Sequence, residues 1–414
     1  MREMKDSGIE WIGEIANTHK LVRLKYVAEI LDEYRKPVTA QYRNQNADIL
    51  YDYYGASGII DKIDGYTIDD HVMLIGEDGA NLKLRNLPLM YEVCGKAWIN
   101  NHAHILKPMK NMDFYYLFYA LEALDINNYI TGSAQPKLNQ ENLKEILIPL
   151  PSYEVQKKVS SYLDTKCSEI DATAEDIQKE ITLLEDYKKS VITEAVTKGL
   201  NPDAEMKDSG IEWIGEIPKH WKVDKIKYHL KRNEPKNPGN AIVLSVYRDY
   251  GVIPKDSRDD NHNVTSEDTS KYKYVKKGQL VINKMKAWQG SLAVSDYDGI
   301  VSPAYFIYDF IDEEYNNKYF HYLVRSCYKE EFKRISGGIR EGQWDLSPEG
   351  FSNTIVLLPS IEEQNEILDY ILPKEMEIDT LIADKKRQLD ILADYKNSLI
   401  YEYVTGKKEV PVNE

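Results

Sequence analysis

Along residues 153–197, apolar side chains recur every seven positions, at Leu163, Ile170, Ile177, Leu184 and Val191. A second series follows four positions behind, at Cys167, Ala174, Ile181 and Ala195, and the stretch contains neither Gly nor Pro. An unbroken heptad pattern of this kind predicts one long helix with a coiled-coil seam. Gly199-Leu200-Asn201-Pro202 then offers a C-capping glycine and a proline to end it. The last 56 residues, 359–414, repeat the seam with Ile371, Ile378, Leu392 and Leu399, and with Ile382, Leu389 and Tyr403. Ser360 and Glu363 form a capping box at its start. Two features depart from the pattern: Lys385 occupies a seam position, and Pro373 is expected to kink or break the helix early. Each helix would be a rod of roughly 65–70 Å, longer than a small domain is wide, and two such rods pack most simply on each other, antiparallel.

Elsewhere the apolar runs are short and bounded by turn residues. The first insert has Tyr54-Gly55-Ala56-Ser57-Gly58-Ile59-Ile60, Val72-Met73-Leu74-Ile75-Gly76 and Ala97-Trp98-Ile99-Asn100-Asn101, then a helical run at 113–125. The second has Ala241-Ile242-Val243-Leu244-Ser245-Val246, Gln279-Leu280-Val281-Ile282 and Ser302-Pro303-Ala304-Tyr305-Phe306-Ile307, then a helical run at 315–334. Strands followed by a helix predict an α+β domain in both.

The chain also repeats itself. Residues 3–15 and 205–217 share the same thirteen letters, EMKDSGIEWIGEI. A second match, offset by 208, aligns Pro151-Ser152-x-Glu154-x-Gln156 with Pro359-Ser360-x-Glu362-x-Gln364 and runs without a gap to Thr197 and Thr405. Two copies of this length are a duplication rather than a solenoid. Residues 27–131 and 229–339 share little, so each half is a common frame around a private insert.

Composition narrows the function classes. The 414 residues are 42% hydrophobic and 29% charged, which excludes wholesale disorder, and no run approaches a membrane span. The three cysteines lie far apart and the first residues lack an apolar export segment, which predicts a cytoplasmic protein. A net charge of −15 argues against coating nucleic acid by bulk charge, but leaves room for a basic surface on an acidic body.

Basic residues are in fact concentrated. Residues 271–290 hold six Lys and no acid, interleaved with Tyr272, Tyr274 and Trp288, and include Lys284, Lys286 and Gln289. Residues 81–111 hold Lys83, Arg85, Lys96, Lys107 and Lys110 against Glu92, together with Asn100, Asn101 and His102. Arg334 and Arg340 flank Gly337-Gly338, and Gln135 aligns with Gln343 in Gly-containing loops that precede the arms, with Lys137 beside the former. Lys and Arg neutralise phosphates, while Arg, Asn, Gln and Lys read base edges. A solvated basic face has the same composition, so these segments alone do not decide between the two.

Familiar catalytic patterns are absent. No two glycines stand two apart, no phosphate loop occurs, and no Asn/Asp-Pro-Pro-Tyr/Phe tetrapeptide is present. Glu205-Met206-Lys207 superficially suggests a nuclease triad, but its spacing is wrong and it belongs to the repeated segment. His102-x-His104 lacks a nearby third metal ligand and is expected to be a core or DNA-facing pair.

The duplicated SGIEWIGEI opening, complete with Pro218 and Trp221 in the second copy, the Pro-x-x-Glu-x-Gln arm starts and the Ile-Asp…Tyr-Lys arm bodies resemble the specificity subunit of type I restriction–modification enzymes. In the first copy Ala16 and His19 replace the Pro and Trp. The inserts are similar to target recognition domains through YGASGIID and NHAHIL, and through NKMKAWQGS and GIVSPAY. The resemblance implies two α+β target recognition domains joined by two long antiparallel coiled-coil helices, with an internal pseudo-two-fold repeat. The implied segments are 1–26 (frame), 27–150 (recognition domain), 151–204 (arm), 205–228 (repeated frame), 229–358 (recognition domain) and 359–414 (arm). It further implies a non-catalytic subunit whose domains each read half of a gapped site in double-stranded DNA. Two methyltransferase subunits and motor–nuclease subunits are the implied partners, with S-adenosylmethionine, ATP and Mg on those partners and none here. The expected DNA-facing residues are Lys83, Arg85, Asn100, Asn101, His102, Lys107, Gln135, Lys137, Lys284, Lys286, Trp288, Gln289, Arg334, Arg340 and Gln343. A coiled-coil scaffold and a stand-alone methyltransferase or nuclease are the alternatives, the latter disfavoured by the missing motifs.

Overall fold

A computed structural model describes residues 3–39, 48–132, 135–239, 241–248, 250–257, 268–338 and 344–411. The chain divides into two compact units, Met1–Gln178 with Lys386–Glu414, and Lys179–Lys385. Each unit therefore takes the start of one arm and the end of the other.

In the first unit, strands Met4–Asp6 and Glu14–Ala16 form a small hairpin, and Lys20–Arg23 pairs antiparallel with Leu147–Leu150, which leads into the first arm. This frame sits on the C-terminal end of the second arm: Tyr401 donates to the Ile12 carbonyl at 2.8 Å, and the Ala16 amide donates to Thr405 at 3.1 Å. Gly406 is left-handed there, and a Cβ on it would lie 2.7 Å from the His19 ring, so both φ and space demand glycine. The insert contributes a six-stranded sheet in the order Ala28–Ile30, Ala103–Pro108, Ile68–Gly76, Met90–Ile99, Tyr51–Gly55, Gly58–Ile63. Helix Phe114–Glu122 packs its Tyr116, Leu117, Ala120 and Leu121 into the core between sheet and arms.

The second unit is built alike. Lys222–Lys225 pairs with Ile355–Leu358 ahead of the second arm, and the frame abuts the end of the first arm, where Gly199 is left-handed and in contact range of Trp221. Its sheet runs Leu230–Asn233, Tyr305–Phe310, Leu280–Asn283, Leu292–Val294. That order matches the first four strands of the other unit. In both, the strand that opens the insert pairs with the one that closes it, and that closing strand pairs with the central one. The inserts thus share a four-stranded core despite dissimilar sequences, because a core needs apolar side chains of suitable volume rather than particular ones. The predicted helical run at 315–334 is two helices, Asn317–Cys327 and Lys329–Arg334.

The arms are the helices Tyr153–Lys198 and Ile361–Val404. Between residues 171 and 190, only Ala174, Ile177, Ile181, Leu184 and Lys188 are sheltered from solvent; between 376 and 398, only Ile378, Ile382, Lys385, Leu389, Leu392 and Lys396 are. These are the heptad positions, so the seam is real. Within each unit the arm segments run antiparallel. Tyr162 stacks near Tyr403 and Asp171 meets Lys396 in the first, while Glu180 meets Lys385 and Lys188 meets Asp379 in the second. Lys385 keeps its seam position because Glu180 accepts its ammonium at 2.5 Å. The expected break at Pro373 does not occur. The helix continues through it on an exposed face, where Asp369, whose carbonyl loses its helical donor, is also exposed.

A buried glutamine begins each arm. Gln364 donates to the carbonyls of Pro359 (3.0 Å) and Glu314 (2.7 Å) and accepts the Asn316 amide (2.8 Å). Gln156, its repeat partner, donates to Pro151 (3.1 Å) and accepts the Asp113 amide (2.9 Å). Asp113 and Asn316 are the N-caps of the insert helices, so the glutamine ties each insert helix to an arm start. Three residues on, Tyr116 and Tyr319 donate to the carbonyls of Val404 and Val196, which are also repeat partners, each at 3.0 Å.

Candidate nucleic-acid interface

In the first unit the central strand Ile68–Gly76 runs into Glu77 and Asp78, and the loop before the arm returns to them. The Leu138 amide donates to the Glu77 carbonyl at 2.7 Å, and Lys137 and Thr131 exchange backbone hydrogen bonds of 2.8 Å. Lys137 reaches the Glu77 carboxylate at 2.9 Å, which holds its ammonium above the usual lysine pKa. His102 meets Asp78 at 2.8 Å, and its amide is held by the side chain of buried Asn100 at 2.7 Å. The structure therefore brings Asn100, Asn101, His102, Gln135 and Lys137 to one corner, with Gln135 exposed.

An ionic network that the sequence reading missed lies beneath this corner. Arg35 bonds Glu77 and lies 3.1 Å from Asp32; Asp32 in turn receives His104 at 2.7 Å and Gln140 at 3.2 Å. Burial works against ionisation of Asp32 and Glu77. Bonds from His104 to Asp32, and from Lys137 and Arg35 to Glu77, nevertheless hold both carboxyls below their ordinary pKa. His104 is fully buried and also reaches the Leu138 carbonyl at 2.8 Å, so it belongs to the core while His102 faces solvent. The acidic Glu77-Asp78 pair just after an apolar run was the available signal for these partners.

Other candidates in this unit lie elsewhere. Arg85, left-handed at φ 53°, donates to the carbonyls of Leu124 (3.0 Å) and Glu122, closing the far end of the helix Phe114–Glu122. Lys83 is exposed beside it. Lys107 bonds Asp70 across the sheet and depresses that carboxyl's pKa.

In the second unit Lys284, Lys286, Trp288 and Gln289 share the turn that follows the central strand Leu280–Asn283. The Leu346 amide donates to the Lys284 carbonyl at 2.9 Å, and the Lys284 ammonium meets Asp345 at 2.7 Å. Trp288 packs against Trp344 with ring centroids 5.5 Å apart. Lys286 is exposed and has no ion-pair partner among the described residues. Arg334 makes a two-pronged contact with buried Glu331 at 2.6 and 2.7 Å. Arg340 and Gln343 lie outside the described residues. At the opposite end of the sheet, His229 bonds Asp312 at 2.8 Å with Glu314 at 3.7 Å and Asp224 at 3.4 Å on its other nitrogen, which joins frame to insert.

Most of the expected bases thus carry a carboxylate partner, as befits lysines fixed in place on an acidic chain. No described helix is long and apolar enough to cross a membrane.

Comparison with known proteins places this architecture. The family described as the type I restriction modification DNA specificity domain matches residues 17–183 and again 219–390. A putative type I restriction enzyme specificity subunit of Haemophilus influenzae is 33% identical over 141 residues, which is 34% of this chain and 35% of that protein. A type I restriction enzyme specificity subunit of Methanocaldococcus jannaschii is 26% identical over 342 residues, covering 76% of each. In fold, the chain is similar to a solved structure described as the structural basis of complex assembly and conformational transition of the type I R-M system. The TM-score is 0.65 at 12% identity, with 95% of this chain and 99% of that one covered. With both halves matched by the same domain, the chain belongs to the type I restriction–modification DNA specificity family.

Proposed function

We propose that this chain is the non-catalytic specificity subunit of a type I restriction–modification enzyme. Each recognition domain reads one half of a gapped site in double-stranded DNA, and the arms set the gap. The observation that carries this reading is one four-stranded core presented twice on one frame, with different side chains at the same corner. In one half that corner holds Asn100, Asn101, His102, Gln135 and Lys137, and in the other Lys284, Lys286, Trp288 and Gln289. One scaffold with two sets of polar ends suits two different half-sites.

Two methyltransferase subunits dock on the repeated frame and arms, and motor–nuclease subunits join them in the cytoplasm. S-adenosylmethionine, ATP and Mg act on those partners. Support comes from the outer faces of the arms, where Leu183 and Tyr187 recur as Ile391 and Tyr395, all more than half exposed. Apolar pairs repeated one turn apart in this way suit two copies of one partner.

Mapping methylated adenines in cells carrying this chain with its methyltransferase tests the reading. A single two-part motif that changes in one half when residues 27–146 are exchanged is expected. Loss of both halves together, or methylation independent of this chain, contradicts it.

A further inference from the structure

The two corners contain one contact with its charges reversed. Leu138 and Leu346 are repeat partners, and their amides bond the carbonyls of Glu77 and Lys284, which end the equivalent central strands. Residues 77 and 284 therefore occupy the same place in the two domains. Their side chains carry opposite charge, and so do their partners: Glu77 pairs with Lys137 at 2.9 Å, and Lys284 pairs with Asp345 at 2.7 Å. Lys137 and Asp345 are again repeat partners. Inserts of dissimilar sequence thus both hold an ion pair at this place, with the signs of the two positions exchanged.

We infer that this pair is a latch that positions Lys137–Leu138 and Asp345–Leu346, the residues that lead from the recognition domains towards the arms, with the carboxylates of Glu77 and Asp345 acting as positioning residues. The latch delivers one ammonium and one carboxylate to the corner whichever strand supplies them. The lysines are 51% and 32% exposed, so such pairs add little to global stability and their effect is on placement. The role in reading rests on the function proposed above; the latch itself does not.

The second half is the cleaner place to test it, since among the described residues Lys284 pairs with Asp345 alone, whereas Glu77 also holds Arg35. The variants are K284E, D345K and the double K284E/D345K, which adopts the order of the first half. Hydrogen exchange at the Leu346 amide is measured on the full chain. Both single variants should exchange roughly two- to fivefold faster, the range a half-exposed pair supports, and the double variant should return towards the parent. Unchanged exchange in the singles, or a double no slower than either, overturns the latch. The same proteins, assembled with the methyltransferase, are then used to select duplexes from a random pool. The singles should blur one half-site, leave the other sharp, and be rescued by the double. If the latch behaves as expected but the parent selects no motif, the proposed function fails and the reading role falls with it. If the parent selects a motif that all three variants share, the positioning role is overturned.

Discussion

Lys188 donates to Asp379 at 2.8 Å in one unit, and Lys396, 208 residues on, donates to Asp171, 208 residues back, at 2.6 Å in the other. A single duplicated sequence has therefore formed the same bond twice, each time joining residues about 190 or more apart in the chain. Both lysines sit at seam positions, where their stems pack and their ammonium groups reach the flank. Such polar seam residues fix register more than they add stability. The K188A and K396A variants should each lose only about 0.2–1 kcal/mol, the range for exposed pairs. K188D and D379K should each cost at least as much, and the double K188D/D379K, which restores the pair with its charges exchanged, should recover part of the loss. Denaturant titration of the singles and the double completes a mutant cycle, and a coupling near zero would remove these pairs from the account of register.

Q364A should cost more. It leaves the buried Pro359 carbonyl, and the part-buried Glu314 carbonyl and Asn316 amide, without their partner. Each unsatisfied buried group costs about 1–3 kcal/mol, so a loss of at least that size is expected by thermal or denaturant unfolding. Y319F removes only the hydroxyl bonded to Val196, and about 1 kcal/mol should go with it.

The seam, the duplication and the α+β class were legible because heptads and repeats are local patterns. The glutamines illustrate what was not. Gln156 and Gln364 were visible as repeated letters, but their task depends on N-caps 43 and 48 residues away. The shared four-stranded core was hidden for a different reason: equivalent core positions are filled by different apolar residues, such as Leu74 and Val281. The basic segments were legible as charge, whereas their pairing with Asp70, Glu77, Glu331 and Asp345 comes only from tertiary contact. Pro373 misled because its helix turns that face to water.

Acid should loosen the first unit through Asp32. Its folded pKa lies below the ordinary value: burial raises it, but the bond and charge of His104, the Ile105 amide and the Arg35 charge together outweigh that. Its contribution is therefore fully present above the unfolded pKa of about 3.9, and is lost as pH falls through the folded value. At neutral pH, D32N should cost about 1.5–3 kcal/mol, as befits hydrogen bonds to a buried charge. The gap between parent and variant should narrow below about pH 4. Unfolding curves at a series of pH values check this, and a gap that widens on acidification has the wrong sign for the assignment.

If the proposed function holds, Lys286 and Gln289 should separate two kinds of DNA contact on one turn. Lys286 is exposed, without an ion-pair partner among the described residues, and is therefore available to a phosphate. A lysine that neutralises one phosphate releases about one counterion, so K286A should weaken binding to all duplexes alike and lower the salt slope by about one. Gln289 is half-buried in the same turn and carries no charge. An amide that reads a base edge contributes little to salt dependence but about 1–3 kcal/mol of discrimination. Q289A should accordingly keep the slope and relax one position of a single half-site. Binding isotherms at several salt concentrations, on the selected duplex and on single-position variants of it, distinguish the two. If K286A leaves the slope unchanged, this turn does not lie against the DNA backbone, and the DNA-facing surface of the second domain must be sought on another edge of its sheet.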